Sequence, residues 1–149
     1  SAFAILTAYI PMLMDTGGNS GSQACVTVIR GISLDEIEFR DIFKVVWKEI
    51  RVAVLCGICL AIACFAKVML VDHLLLKSES VNAWVALVVS LSMAVTVFLA
   101  KLVGGTLPLL AKKLGFDPAV MASPIITTIV DFLSLLVYFT FATTILHIG

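Results

Sequence analysis

Asp131 sits near the middle of the last apolar stretch of the chain, residues 118–146, where an unpaired charge in hydrocarbon costs several kcal/mol. An ionisable group at that depth marks a functional position by default. Ser123, Thr127, Thr128 and Ser134 fall around it at helical spacing, so the carboxylate belongs to a polar stripe. At about 100° per residue, Val120, Ser123, Pro124, Thr127, Asp131, Ser134 and Tyr138 share one arc, while Leu133, Leu136 and Phe139 lie elsewhere. Oxygen donors along one helix face suit a hard cation, and the stripe reads as the wall of a cation path through a membrane. Pro124 fits this reading, because inside a helix it would free a carbonyl near Val120 as one more oxygen. The plainer alternative keeps Asp131 hydrogen-bonded to Thr127 or Thr128, or paired with a lysine of another helix.

A second polar set occupies the first apolar segment. Gly17 and Gly21 have small-xxx-small spacing, as do Gly18 and Ser22, and that pattern lets membrane helices approach closely. Asn19 and Gln23 repeat at the same interval, which puts two amides on one face to line a wet passage or bond across an interface. Helix packing without transport is the simpler account of this segment. Counting back from Arg30 at about 1.5 Å per residue places Asp15 roughly 22 Å deep, and Asp131 lies roughly 21 Å beyond Asp117, so the two carboxylates are level. Level carboxylates raise acid–base catalysis, and Asp15-Thr16-Gly17 has the letters of an aspartic-protease loop. That loop needs a β framework, and intramembrane aspartyl proteases place Gly-x-Gly before one catalytic aspartate, whereas Thr128-Ile129-Val130 precedes Asp131. Catalysis is therefore set aside, and the role of Asp15 stays open.

Membrane helices must hold these residues. The chain has 149 residues, 61% hydrophobic and 13% charged, with a mean hydropathy of +1.14, which places it outside the range of soluble domains. A formal net charge of zero and the lack of any long like-charge run speak against nucleic acid as a partner; lipid, other helices and small ions are implied instead. Residues 1–14 are apolar with no basic leader or cleavage pattern, so the chain is expected to begin within a membrane segment. Residues 2–29, interrupted by Pro11 and the polar run 15–23, predict a helix broken at its Gly-rich stretch. Residues 30–51 form a charged connector in which Ser33, before Asp35 and Glu36, resembles the N-cap of a short surface helix.

Residues 52–71, with only Lys67 charged, can span a core of about 30 Å while the lysine snorkels outward. After a turn at 72–82, a span over 83–110 opens on Trp84 as an interfacial anchor, and Lys101, Gly104, Gly105 and Pro108 predict that it bends or unwinds late. Asp117-Pro118 reads as N-cap and first helical residue of the last span. Cys56 and Cys59 have CxxC spacing but lie with Cys64 in an apolar run, with no second ligand pair and with His73 and His147 distant, so these thiols and Cys25 read as packing residues. The fold class expected is an all-α membrane bundle of about four spans. Arg30, Arg40, Lys44, Lys48 and Arg51 fall in one loop and Lys112 and Lys113 in another, with Lys77 between them, so the two rich loops face the cytoplasm and the C-terminus lies outside.

Pro11, the run Gly17-Gly-Asn-Ser-Gly-Ser-Gln23, Arg30-Gly31, Asp117-Pro-Ala and Pro124-Ile-Ile-Thr-Thr-Ile-Val-Asp131 together resemble the MgtE magnesium-channel family, over essentially the whole chain. The resemblance implies a homodimer of five-helix transmembrane domains, with a pore on the two-fold axis lined by the Gly-Asn helix and the last helix. It implies that Asp131 binds Mg2+, that Thr127 presents its backbone carbonyl, and that Ser123 lines the pore where relatives can carry asparagine. Pro124, Thr128, Ser134, Asn19 and Gln23 are the other expected pore-lining residues, and Gly17, Gly18 and Gly21 the expected packing residues. The family begins with a cytoplasmic helical domain, a tandem CBS domain and a first membrane helix, so residues 1–149 read as an N-terminally incomplete pore domain without the usual intracellular gate.

Magnesium gives up water reluctantly, so one carboxylate per subunit suits it, and two Asp131 side chains across a two-fold axis would form an acidic ring for hydrated cations. Other divalent cations fit the same oxygen donors. Two rival readings remain: a proton- or sodium-coupled carrier built on a broken helix, and a membrane assembly subunit that transports nothing. A carrier would favour inverted repeats, and the sequence has no internal repeat.

Overall fold

Apolar runs with no polar backbone partner in lipid must satisfy their own hydrogen bonds, and helices do this within one segment. The computed structural model describes residues 2–75, 77, 81–121 and 124–146, and the regular elements among them are helical. Four long helices, α1 (Ala2–Ser33), α2 (Ile42–Lys67), α3 (Ala83–Lys113) and α4 (Pro124–Leu146), alternate in direction through short connections. Three stretches, Phe39–Leu75, Ala83–Lys113 and Pro124–Leu146, are long and apolar enough to cross a membrane. At 32 residues α1 is also long enough, but Asp15, Asn19 and Gln23 dilute its apolar character.

Several expectations change. α1 is not broken: it runs through Pro11 and the Gly-rich stretch without interruption. The glycines there serve close contact with neighbouring helices, and those contacts hold the helix that glycine would loosen in isolation. α3 likewise does not unwind at Gly104, Gly105 or Pro108. Ser33 caps no new helix; it is the last residue of α1, and its hydroxyl donates back to the Ile29 carbonyl at 2.9 Å. The charged connector is correspondingly short, because α2 has begun by Ile42 and carries Lys44, Lys48 and Arg51 itself. The expected turn from residue 72 is delayed, since α2 continues through wider π-type winding over Val68–Leu75.

The helix ends explain themselves locally. At the end of α3, Phe116 N donates to Ala111 O and Gly115 N to Lys112 O, with Gly115 at φ 81. Glu36 N and Asp35 N repeat the pattern on Gly31 O and Ile32 O, with Asp35 at φ 55 in the left-handed role. The Asp117 carboxylate accepts from Ala119 N at 2.9 Å, but the turn it caps is a short 3-10 helix, Pro118–Met121. α4 starts afresh at Pro124.

α3 is the central element, packed by α1, α2 and α4, and α1 also lies against α4. At one end of the bundle Leu6, Leu13, Val89, Val97 and Tyr138 form the largest buried cluster. There the Tyr138 hydroxyl donates to the Leu6 carbonyl at 2.8 Å, across the α1–α4 contact. Asp72 accepts from Tyr9 Oη at 2.8 Å and pairs with Lys67 at 2.7 Å, so Lys67 is tied to a carboxylate within the same helical stretch, which runs on to Leu75. Toward the other end, Val28, Ile32, Val45 and Leu109 close the core. Glu49 is buried there at 4% exposure, in the four-residue stripe Val45, Glu49, Ala53 and Gly57 that faces α3.

A side chain at Gly104 would fall on the backbone carbonyl of Gly21, a contact that no rotamer change relieves. Gly104→Ala is therefore expected to destabilise the bundle by about 1–3 kcal/mol, read as a lowered unfolding midpoint in detergent. Tyr138→Phe, which removes the buried bond from the Tyr138 hydroxyl to the Leu6 carbonyl, is expected to cost about 1 kcal/mol in the same measurement.

Candidate functional site

The site begins with the glycine face of α1. A Cβ on Gly17 would lie 2.6 Å from Thr96 Cγ2 and 2.9 Å from Val130 Cγ1; one on Gly21 would lie 3.0 Å from Ile126 Cγ2 and 3.2 Å from the Ala100 carbonyl. Gly18 faces Thr127, whose Cγ2 would be 3.3 Å away. Residue numbers rise along α1 as they fall along α4, so the two helices run antiparallel in close contact. With the glycines on the seam, the flanking positions of each helix border it. Asp15 and Asn19 on α1, and Thr127 and Asp131 on α4, are each one helical turn apart. Together with Met14 and Gly18 they line a single open-sided cavity of about 210 Å³.

No hydrogen bond or ion pair within the protein holds the Asp131 carboxylate among the described residues, and the same is true of Asp15. Thr127 and Thr128 do not bond it: both hydroxyls donate to the Pro124 carbonyl, at 3.1 and 2.8 Å. Ion pairs lie elsewhere, at Arg40–Glu38, Lys44–Asp41, Lys48–Glu49 and Lys67–Asp72. Lys101, at 9% exposure, is buried on α3 and does not line the cavity. Neither carboxylate is sealed from solvent: Asp15 is exposed and Asp131 half-buried.

The polar arc expected on α4 is divided by α1. Asp131 and Thr127 reach the cavity, but Ser134 and Tyr138 are buried at 1% and 0% exposure, and Ser134 Oγ donates to Val130 O at 2.6 Å. Ser134 therefore packs against α1 instead of bordering the recess. Thr128 is exposed outside the cavity lining. Pro124 stands at the first position of α4, so its missing N–H interrupts no helical bond and frees no carbonyl near Val120. Its own carbonyl is the one that Thr127 and Thr128 engage. Asn19 lines the cavity, whereas Gln23 belongs to a separate recess with Ser22, Val26 and Thr27. Ser123 lies outside the described residues.

Asp15 is the residue that helix counting placed level with Asp131 without giving it a role, and it shares the cavity. Cysteines take no part: Cys25 and Cys64 are buried, and no disulfide joins any of the four. No group of three or more His, Cys, Asp or Glu forms a cluster able to hold a metal ion among the described residues. An ion that keeps its water shell does not require such a cluster.

The sequence profile of the MgtE family, described as divalent cation transporter, matches residues 10–141. The chain is 36% identical over 146 residues to the magnesium transporter MgtE of Thermus thermophilus, covering 98% of the chain and 30% of that relative. It is 32% identical over 143 residues to the magnesium transporter MgtE of Bacillus subtilis, covering 95% of the chain and 30% of the relative. A magnesium transporter MgtE of Enterococcus faecalis is 28% identical over 142 residues. The chain thus spans about a third of the length of these relatives, 30% in each case. Matched along most of its length, with helices long and apolar enough for a bilayer, the chain belongs to the MgtE family, a family of transporters and not of enzymes.

Proposed function

We propose that this chain is the pore domain of a magnesium channel, passing hydrated Mg2+ down its electrochemical gradient between two copies related by a two-fold axis. The observation that carries this reading is the cavity between α1 and α4, which presents the Asp131 carboxylate with no protein partner beside Thr127 and Asn19. Asp131 from each copy forms an acidic ring; it attracts divalent cations, repels anions and leaves water to complete the ion's shell. Thr127 adds an oxygen one turn away, and Asn19 an amide from the facing helix. Binding through water is strong enough to admit the ion and weak enough to release it.

In this arrangement residues 1–149 form a transmembrane domain that crosses a prokaryotic inner or plasma membrane as part of a homodimer. Residues 30–51 and Lys112 and Lys113 face the cytoplasm, and the C-terminus lies outside. Other divalent cations compete for the same oxygens. The coupled carrier draws no support from α1, which is one unbroken helix, and the assembly subunit is separated by flux itself.

Asp131→Asn or Asp131→Ala in the intact protein is expected to abolish entry of Mg2+ into liposomes, followed with an enclosed magnesium-sensitive dye, while the dimer survives in detergent. Undiminished flux in either variant refutes the assigned role. Flux against the gradient that depends on a proton or sodium gradient would identify a carrier, and sealed liposomes with the wild-type protein would identify a scaffold.

A further inference from the structure

Asp15 borders the same 210 Å³ cavity as Asp131 but comes from the opposite helix. It lies one turn before Asn19, which also lines the recess, and Gly18 between them holds α1 against Thr127. Asp15 is exposed in the protomer, and no hydrogen bond or ion pair fixes its carboxylate among the described residues. The family to which the chain belongs is one of divalent cation transporters.

We propose that Asp15 is a second acidic contact for the transported cation, so that each protomer offers two carboxylates, one from α1 and one from α4. This rests on the reading that the ion passes this cavity, and adds to it a residue that sets affinity and valence preference. Asp15 accepts hydrogen bonds from the ion's waters and adds negative charge at the recess without requiring dehydration. Because a divalent ion gains twice the attraction of a monovalent one from each added charge, Asp15 sharpens the preference for divalents.

The test uses the intact protein in liposomes, with Mg2+ and Na+ fluxes measured on Asp15→Asn, Asp15→Ser, Asp15→Glu and Asp131→Asn. Asp15→Asn and Asp15→Ser are expected to raise the half-saturating Mg2+ concentration about tenfold and to lower the Mg2+ to Na+ flux ratio by a similar factor. Asp15→Glu, which keeps the charge, is expected to recover the flux ratio. Should both neutral variants match wild type in half-saturation and flux ratio while Asp131→Asn is inactive, the role given to Asp15 is overturned and the channel reading stands. If Asp131→Asn conducts normally, the site itself is misplaced and both readings fall.

Discussion

Close approach of α1 to α3 and α4 is the contact on which the rest of the bundle depends. Gly17 and Gly18 let side chains of α3 and α4 pack onto the α1 backbone, while Gly21 and Gly104 bring α1 and α3 backbone to backbone, with Gly104 directly against the Gly21 carbonyl. In lipid there is little hydrophobic gain from bringing helices together, so tight van der Waals contact between small residues has to supply the association. That contact fixes the antiparallel register of α1 and α4. The register in turn decides which polar groups meet at the edge of the seam.

The charges divide into two populations. Lys67 with Asp72, Arg40 with Glu38 and Lys44 with Asp41 pair near the helix ends, where water can share the cost of ionisation. Asp15 and Asp131 lie within the helices and face a cavity without such partners. An unpaired carboxylate at that depth is tolerable only where solvent and a counter-ion reach it, so the distribution of pairs says where water must be. Glu49 is a third case, a buried carboxylate packed on Gly105 with Lys48 4.0 Å away.

Helix counting placed Asp15 and Asp131 at one level because rise per residue is nearly constant, and the structure opens one cavity to both. It failed where a breaker's effect depends on its neighbours. The glycines of α1 and α3, and Pro108, are destabilising in an isolated helix, yet each helix is continuous because the glycines are where a neighbouring helix packs. Pro124 was read as interior because the apolar run extends before it, but a 3-10 turn at Pro118–Met121 intervenes and makes it a helix start. Glu49 escaped notice among the charges of the connector, although its four-residue spacing with Val45, Ala53 and Gly57 was visible.

By itself the sequence determined the all-helical class, the approximate apolar spans and the place of Asp131 within the last of them, since these follow from apolar run length and helical rise. Helical period also fixed the arc shared by Thr127, Asp131, Ser134 and Tyr138. Period assigns an angle around one axis and says nothing of what stands opposite. Only the packing of α1 across that arc buried Ser134 and Tyr138, left Thr127 and Asp131 at the cavity, and brought Asp15 and Asn19 to face them.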